Sequence, residues 1–226
     1  MSGGLYTQLL DLACGAFLLA AVIVLWRREL AAIVRVFAAQ GIALAAIAVL
    51  LGAHEERWDL VGVGVGIGLL RAGVLPYLIR RALTAPTGDR VRSEEVRETQ
   101  PLINITASLL TGALLTLLAY AVARPLTELN PTPATRALPV GLAVVLIGFF
   151  VLVTRRRALS QVVGFLLLDN GITATAFLAT SGVPLIVELG VSFDVLLAVL
   201  VLQILTTRVR EAFGTTDIDD LRELHD

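Results

Sequence analysis

The sequence predicts an all-α polytopic membrane protein with about seven transmembrane helices. Three observations lead there. Of the 226 residues, 57% are hydrophobic, and the mean hydropathy is +0.84, more than the core of a water-soluble domain calls for. The apolar residues fall in seven runs of about 20, the length that crosses roughly 30 Å of hydrocarbon. Arginines gather after alternate runs, the pattern of a chain oriented by the positive-inside bias.

The runs lie near 6–26, 30–53, 58–79, 101–123, 138–154, 158–180 and 183–206, the fifth being the shortest. The start, "MSGGLYTQLLDLACGAF", has neither the basic flank nor the cleavage site of a removable signal peptide. The first run is therefore expected to be retained. Arg27 and Arg28 follow it. Arg80, Arg81, Arg90, Arg92 and Arg97 follow the third, Arg155, Arg156 and Arg157 the fifth, and Arg208, Arg210 and Arg222 the seventh. The opposite side carries only Arg57, Arg124 and Arg136. That asymmetry predicts an N-terminus outside and a C-terminus in the cytoplasm.

The connections follow from their composition. "TAPTGDRVRSEEVRETQ", at 84–100, is a polar cytoplasmic loop. "RPLTELNPTPATRALP" carries four prolines and reads as an extended or turning external connection. The uncharged "TSGVP" demands a tight turn, with Pro184 suited to the first turn of the last helix. The third run opens with "VGVGVGIG", whose pairs Gly62/Gly66 and Gly64/Gly68 permit close helix packing. It does not match G-x-G-x-x-G and has no β-α-β context, so nucleotide binding is the weaker reading. The chain thus divides into 1–83 with three helices, the loop 84–100, and 101–137 with the fourth helix and external loop. A three-helix part at 138–207 and a cytoplasmic tail at 208–226 complete it.

Several function classes fall away. A net charge of −1 argues against a nucleic-acid partner. The single cysteine, Cys14, can form no internal disulfide and cannot alone hold a cluster or zinc ion, and His54 and His225 are far apart in sequence. No metal or cofactor is expected in this chain.

Ionisable residues at membrane depth cost about 2.5–3.5 kcal/mol each on insertion scales, so each needs a reason. Asp11 and Arg35 lie close enough to a boundary for interfacial or packing roles. Arg71 is nine residues before Arg80, about 13 Å from the interface, too deep for snorkelling alone. Pro76 beyond it loosens the helix. Asp169, in "GFLLLDNGITATAF", would read as a turn in a soluble protein. Here a turn would leave only residues 158 to 168 for a span, too few to cross, so the helix is expected to continue through Asp169, loosened at Gly171. If the chain turns near Gly182, Asp169 and Asp194 share a depth and Glu188 lies about 9–10 Å nearer the outside. Gln40, Asn104 and Asn170 are neutral polar company. A stepped proton path through Asp169, Glu188, Asp194 and Arg71, with Gln40 and Asn170 as accessories, fits this arrangement. Low dielectric favours a neutral carboxyl and a neighbouring arginine the charged one, so moving the arginine would switch proton uptake and release.

The segment "LIGFFVLVTRRRALSQVVGFLLLDNGITATAFLATSGVPLIVELGVSFDVLLAVLVLQI" resembles the hydrogenase-4 component E family, membrane proteins of hydrogenase-4 and formate hydrogenlyase-type complexes. The matching elements are G-[FL]-F before an arginine-rich turn, A-L-S-Q-V-V-G-F, a carboxylate followed by Asn-Gly, and V-E-L-G-V-x-x-D. Ala39 with Gln40, Arg71 with Pro76, and the tail "FGTTDIDDLRELHD" extend it. That family looks like a distant elaboration of the K subunit of respiratory complex I and the C subunit of multisubunit sodium/proton antiporters. The resemblance implies that the last three helices correspond to the K subunit, with Asp169 at the place of its first intramembrane glutamate and Glu188 at the second. Aspartate replaces the usual glutamate of E-N-G, so the carboxyl reaches one methylene less far.

The resemblance also implies a non-catalytic subunit of a hetero-oligomer in a prokaryotic inner membrane. It would sit between antiporter-like membrane subunits and a soluble hydrogenase-type arm holding the nickel–iron centre and iron–sulfur clusters. It would help couple electron transfer to proton or sodium translocation. The competing reading is a free-standing secondary transporter using the same carboxylates, although no internal repeat supports it. A scaffold with purely structural charges is a third. Thr216 and Asp219 resemble the N-cap and acidic third position of a short tail helix.

Overall fold

A computed structural model describes residues 3–27, 29–84, 104–155 and 158–180. Every regular element among them is helical: α1 (Gly3–Trp26), α2 (Leu30–His54), α3 (Trp58–Gly68), α4 (Leu75–Thr84), α5 (Ile105–Leu129), α6 (Pro133–Thr154) and α7 (Ala158–Thr180). α3 and α4 are joined without a break by a π-helical turn, Leu69–Val74, and together make the third predicted run. Six of the described helical segments are long and apolar enough to cross a membrane. The seventh run, 183–206, lies outside the described residues, as do the loop 85–103 and the tail.

The helices pack as two layers. α2 packs against α1, α3 and the π turn in one layer, and α6 packs against α5 and α7 in the other. α1 lies on α5 and α6, while α2 lies on α7. Side-chain contacts fix the direction of each helix. Tyr6 stacks on His54 with ring centroids 3.8 Å apart, so α1 begins where α2 ends. Arg155 reaches Val24 O and Arg27 O, so α6 ends beside the end of α1. Gly112, near the start of α5, faces Leu25. One end of the bundle therefore holds Arg27, Arg80, Arg81 and Arg155, and the other holds Arg57, Arg124 and Arg136.

The proline-rich connection is shorter than the composition predicts. α5 runs through Pro125 to Leu129, and α6 begins at Pro133, leaving only residues 130–132 between them. Local bonds explain both ends. Arg124 pairs with Glu128 at 2.9 Å and Thr127 donates to Arg124 O, which holds the last turn of α5 past its proline. Pro133 sits at the first helical position, where its missing N–H costs nothing. Thr132 and Thr135 cap that end reciprocally. The fifth span thus starts at residue 133 rather than 138 and is a full 22 residues long, and the fourth runs beyond residue 123.

Four glycines set the spacing between α6 and α7. A Cβ added at Gly141 would come within 2.6 Å of Thr175, and one at Gly148 within 2.4 Å of the Leu168 backbone. From the other helix, Gly164 meets Leu152 at 2.7 Å and Gly171 meets Val145 at 2.5 Å. On each helix the two are seven residues apart, so they share a face. Facing backbones approach closely at four levels, as small residues allow within a membrane. Gly171 therefore serves packing: α7 continues unbroken through it, while the third span is loosened ahead of Pro76, as its sequence predicts. Of the glycine pairs in that span, Gly64 and Gly68 meet Val49, Ala48 and Ala45 of α2, whereas Gly62 and Gly66 face nothing within 4 Å.

Candidate functional site

The buried polar residues of different helices meet at one place. Asp169 is the twelfth of the 23 residues of α7, with Asn170 next to it. Thr173, one turn further, lies on the same face. Opposite them, Arg71 is the third residue of the six-residue π turn and is 1% exposed. The wider turn is seated on α2 through Gly41: a Cβ there would lie 2.9 Å from the Arg71 carbonyl carbon and 3.1 Å from the Arg71 Cβ. Pro76 follows with no N–H to return to the turn before it. Gln40, beside Gly41, is fully buried.

The bonds form one directed chain. Arg71 Nη2 lies 2.8 Å from Asp169 Oδ2 and donates to Thr173 Oγ1 at 3.0 Å. Arg71 Nη1 donates to Asn170 Oδ1. Because a guanidinium can only donate, Asn170 must turn its oxygen toward it, leaving the amide nitrogen for another acceptor. That nitrogen donates to Gln40 Oε1 at 3.0 Å, and Gln40 Nε2 donates in turn to Phe17 O of α1 at 3.4 Å. Four membrane segments are thereby joined through one arginine.

Charge and hydrogen bonding are divided unequally in this cluster. Asn170 orients Arg71 and Gln40 orients Asn170, but neither amide readily passes a proton; Asp169 is the member able to take one up and release it. Its Oδ2 is close to Arg71 yet has no aligned hydrogen bond among the described residues, so that contact is chiefly charge on charge. Removing either partner would strand the other at low dielectric. Among the described residues no group of three or more His, Cys, Asp or Glu side chains converges as a metal site would require.

The structure thus brings together four of the predicted site residues: Arg71, Asp169, Gln40 and Asn170. Glu188 and Asp194 lie outside the described residues. Arg35 is exposed on α2, with Nε donating to Ala31 O at 3.4 Å, in keeping with an interfacial role. Asp11 is exposed on α1, and Asn104 stands at the N-cap of α5. Sequence reasoning missed Thr173, whose signal was its place four residues after Asp169, and Gly41, whose role depends on a turn in another helix. It also counted Arg155 only for topology. Arg155 is 5% exposed, donates to the α1 carbonyls, and accepts at its own carbonyl from Gln161 Nε2 at 3.0 Å.

Comparison with known proteins bears on what such a cluster serves. The chain is 50% identical over 226 residues to the uncharacterized protein Rv0085 of Mycobacterium tuberculosis (strain ATCC 25618 / H37Rv), covering 100% of both chains. It is 32% identical over 115 residues to hydrogenase-4 component E of Escherichia coli (strain K12), covering 51% of this chain and 53% of that one. The component E of Shigella flexneri matches to the same extent. No family model matches, and no solved structure matches.

Proposed function

Because the chain belongs to the same family as Rv0085 of Mycobacterium tuberculosis and shares half its length with hydrogenase-4 component E, we propose that it is a non-catalytic membrane subunit of a hydrogenase-4-like complex. Its role is to help couple electron transfer in a soluble arm to proton or sodium translocation. The nickel–iron centre and iron–sulfur clusters belong to that arm, and antiporter-like subunits flank this one in a prokaryotic inner membrane. The arginine-rich end of the bundle faces the cytoplasm in this reading, with the N-terminus outside.

The observation that carries the proposal is the direction of the buried polar chain. Phe17 is the fifteenth of the 24 residues of α1, Gln40 the eleventh of the 25 of α2, and Asp169 the twelfth of the 23 of α7. All lie near mid-depth, so the chain runs across the bundle in the membrane plane. A free-standing carrier needs a route between the two faces. A polar line in the plane instead suits a subunit that senses and transmits charge between lateral neighbours. Burying an ion pair at this depth is costly, which makes the pair a candidate for a functional role.

The test is to tag the C-terminus, extract membranes in mild detergent, and identify what co-purifies by mass spectrometry. Antiporter-like membrane proteins together with a nickel–iron or iron–sulfur arm are expected. Recovery of the chain alone, as a monomer or homo-oligomer, would overturn the proposal.

A further inference from the structure

The third span rests on α2 along a single stripe, and one contact of that stripe falls at the polar site. A Cβ added at Gly64 would lie 2.9 Å from Val49 Cγ2 and 3.0 Å from Val49 N. One turn on, a Cβ at Gly68 would lie 3.0 Å from Ala45 Cβ. At the next level the glycine is on α2 instead: a Cβ at Gly41 would lie 2.9 Å from the Arg71 carbonyl carbon and 3.0 Å from Ala72 N. Val49, Ala45 and Gly41 are four residues apart, so they share one face of α2. The atoms facing Gly41 are main chain, which cannot swing aside as the end of a side chain can.

A side chain at position 41 would therefore displace Arg71 at its base, since the Arg71 Cβ is itself 3.1 Å from the added atom. The far end of Arg71 is tied to α7, to Asp169 at 2.8 Å, to Thr173 at 3.0 Å and to Asn170. Partners on successive residues and turns of one helix fix both the plane and the position of a rigid guanidinium fork. The π turn is the softest part of the span. Its hydrogen bonds close over five residues, as Leu75 N–H to Leu70 O does, and Pro76 contributes no N–H. α2 is the stiffer side at this level, because Gln40 anchors it to Asn170 and to Phe17 O. The turn, with Arg71 on it, is what gives way.

We propose that Gly41 is a positioning residue for the Arg71–Asp169 pair. The missing Cβ lets the π turn sit close enough on α2 for Arg71 to meet Asp169, and a side chain at 41 disengages the two. Gly64 makes a contact of the same depth seven residues before Arg71 and serves packing alone. This role deepens the function proposed above; its first test stands without that reading, and only its second rests on it.

The first test measures the coupling between positions 71 and 169 in the full chain in detergent. Unfolding midpoints are taken for the Arg71→Gln and Asp169→Asn cycle in three backgrounds: unaltered, Gly41→Ala and Gly64→Ala. Both alanines are expected to lower the midpoint. The coupling is lost with Gly41→Ala and kept with Gly64→Ala, a difference that a packing role alone would not produce. Coupling kept in both backgrounds, or lost in both, would overturn the inference. If Gly41→Ala does not accumulate by itself, its yield in the Arg71→Gln/Asp169→Asn background decides. Recovery toward the yield of that double variant is expected, and no recovery would overturn the inference. The second test measures ions moved per electron transferred in vesicles holding the intact complex. The ratio falls with Gly41→Ala and holds with Gly64→Ala. Lost coupling with an unchanged ratio would support the positioning role of Gly41 while counting against the functional proposal.

Discussion

Arg71 and Asp169 meet at 2.8 Å in the interior of the bundle, one from a π turn and the other from the middle of an unbroken helix. The pair crosses between the two layers, and its electrostatics predict how variants combine. Arg71→Gln or Asp169→Asn alone leaves an unmatched polar or charged group and costs about 3–5 kcal/mol. The double variant removes both charges and costs less than the two singles together. Unfolding midpoints in detergent for the four members of the cycle would check this, strict additivity being the contrary result.

The glycine seam predicts a contrast between positions. Gly148→Ala and Gly171→Ala push a Cβ against partner backbone at 2.4 and 2.5 Å and each destabilise by about 1–3 kcal/mol. Gly62→Ala meets nothing within 4 Å and is neutral or stabilises by up to about 1 kcal/mol, since alanine is the better helix former. Thermal unfolding of the three variants side by side separates packing glycines from open ones.

Arg155 holds the end of α6 against the end of α1. Its Nη2 donates to Val24 O at 3.3 Å and to Arg27 O at 3.5 Å, satisfying carbonyls that the α1 helix leaves open. Arg155→Ala is expected to cost about 1–3 kcal/mol. Proteolysis near residues 27–29 should accelerate in that variant before the rest of the bundle is cut.

Glu56 occupies left-handed backbone with φ 57° in the α2–α3 connection and is exposed. A glycine adopts that conformation without the Cβ clash, so Glu56→Gly should raise stability by about 1 kcal/mol. An unchanged or lowered melting temperature would contradict the strained turn.

Much of the helix plan could be read in the sequence because each described span is a continuous apolar run with punctuated ends. The polar cluster was legible in its members but not in its contacts. Arg71, Asp169, Gln40 and Asn170 declare themselves by being polar in apolar runs, whereas their meeting point depends on which helices pack, and no periodicity encodes that. Pro125 misled because proline marks the end of a helix in composition, yet the Arg124–Glu128 pair carries α5 past it. Loosening was expected both at Gly171, next to Asn, and around Arg71 ahead of Pro76. Among the described residues it is found at Arg71, where Gly41 of a neighbouring helix makes the room.

On the function proposed above, the Arg71–Asp169 pair helps couple electron transfer to ion movement. The most direct measurement is the ratio of protons or sodium ions moved to electrons transferred, in inverted membrane vesicles holding the intact complex with Asp169→Asn. Electron transfer is expected to persist while the ratio falls several-fold. An unchanged ratio in correctly assembled complex would contradict it.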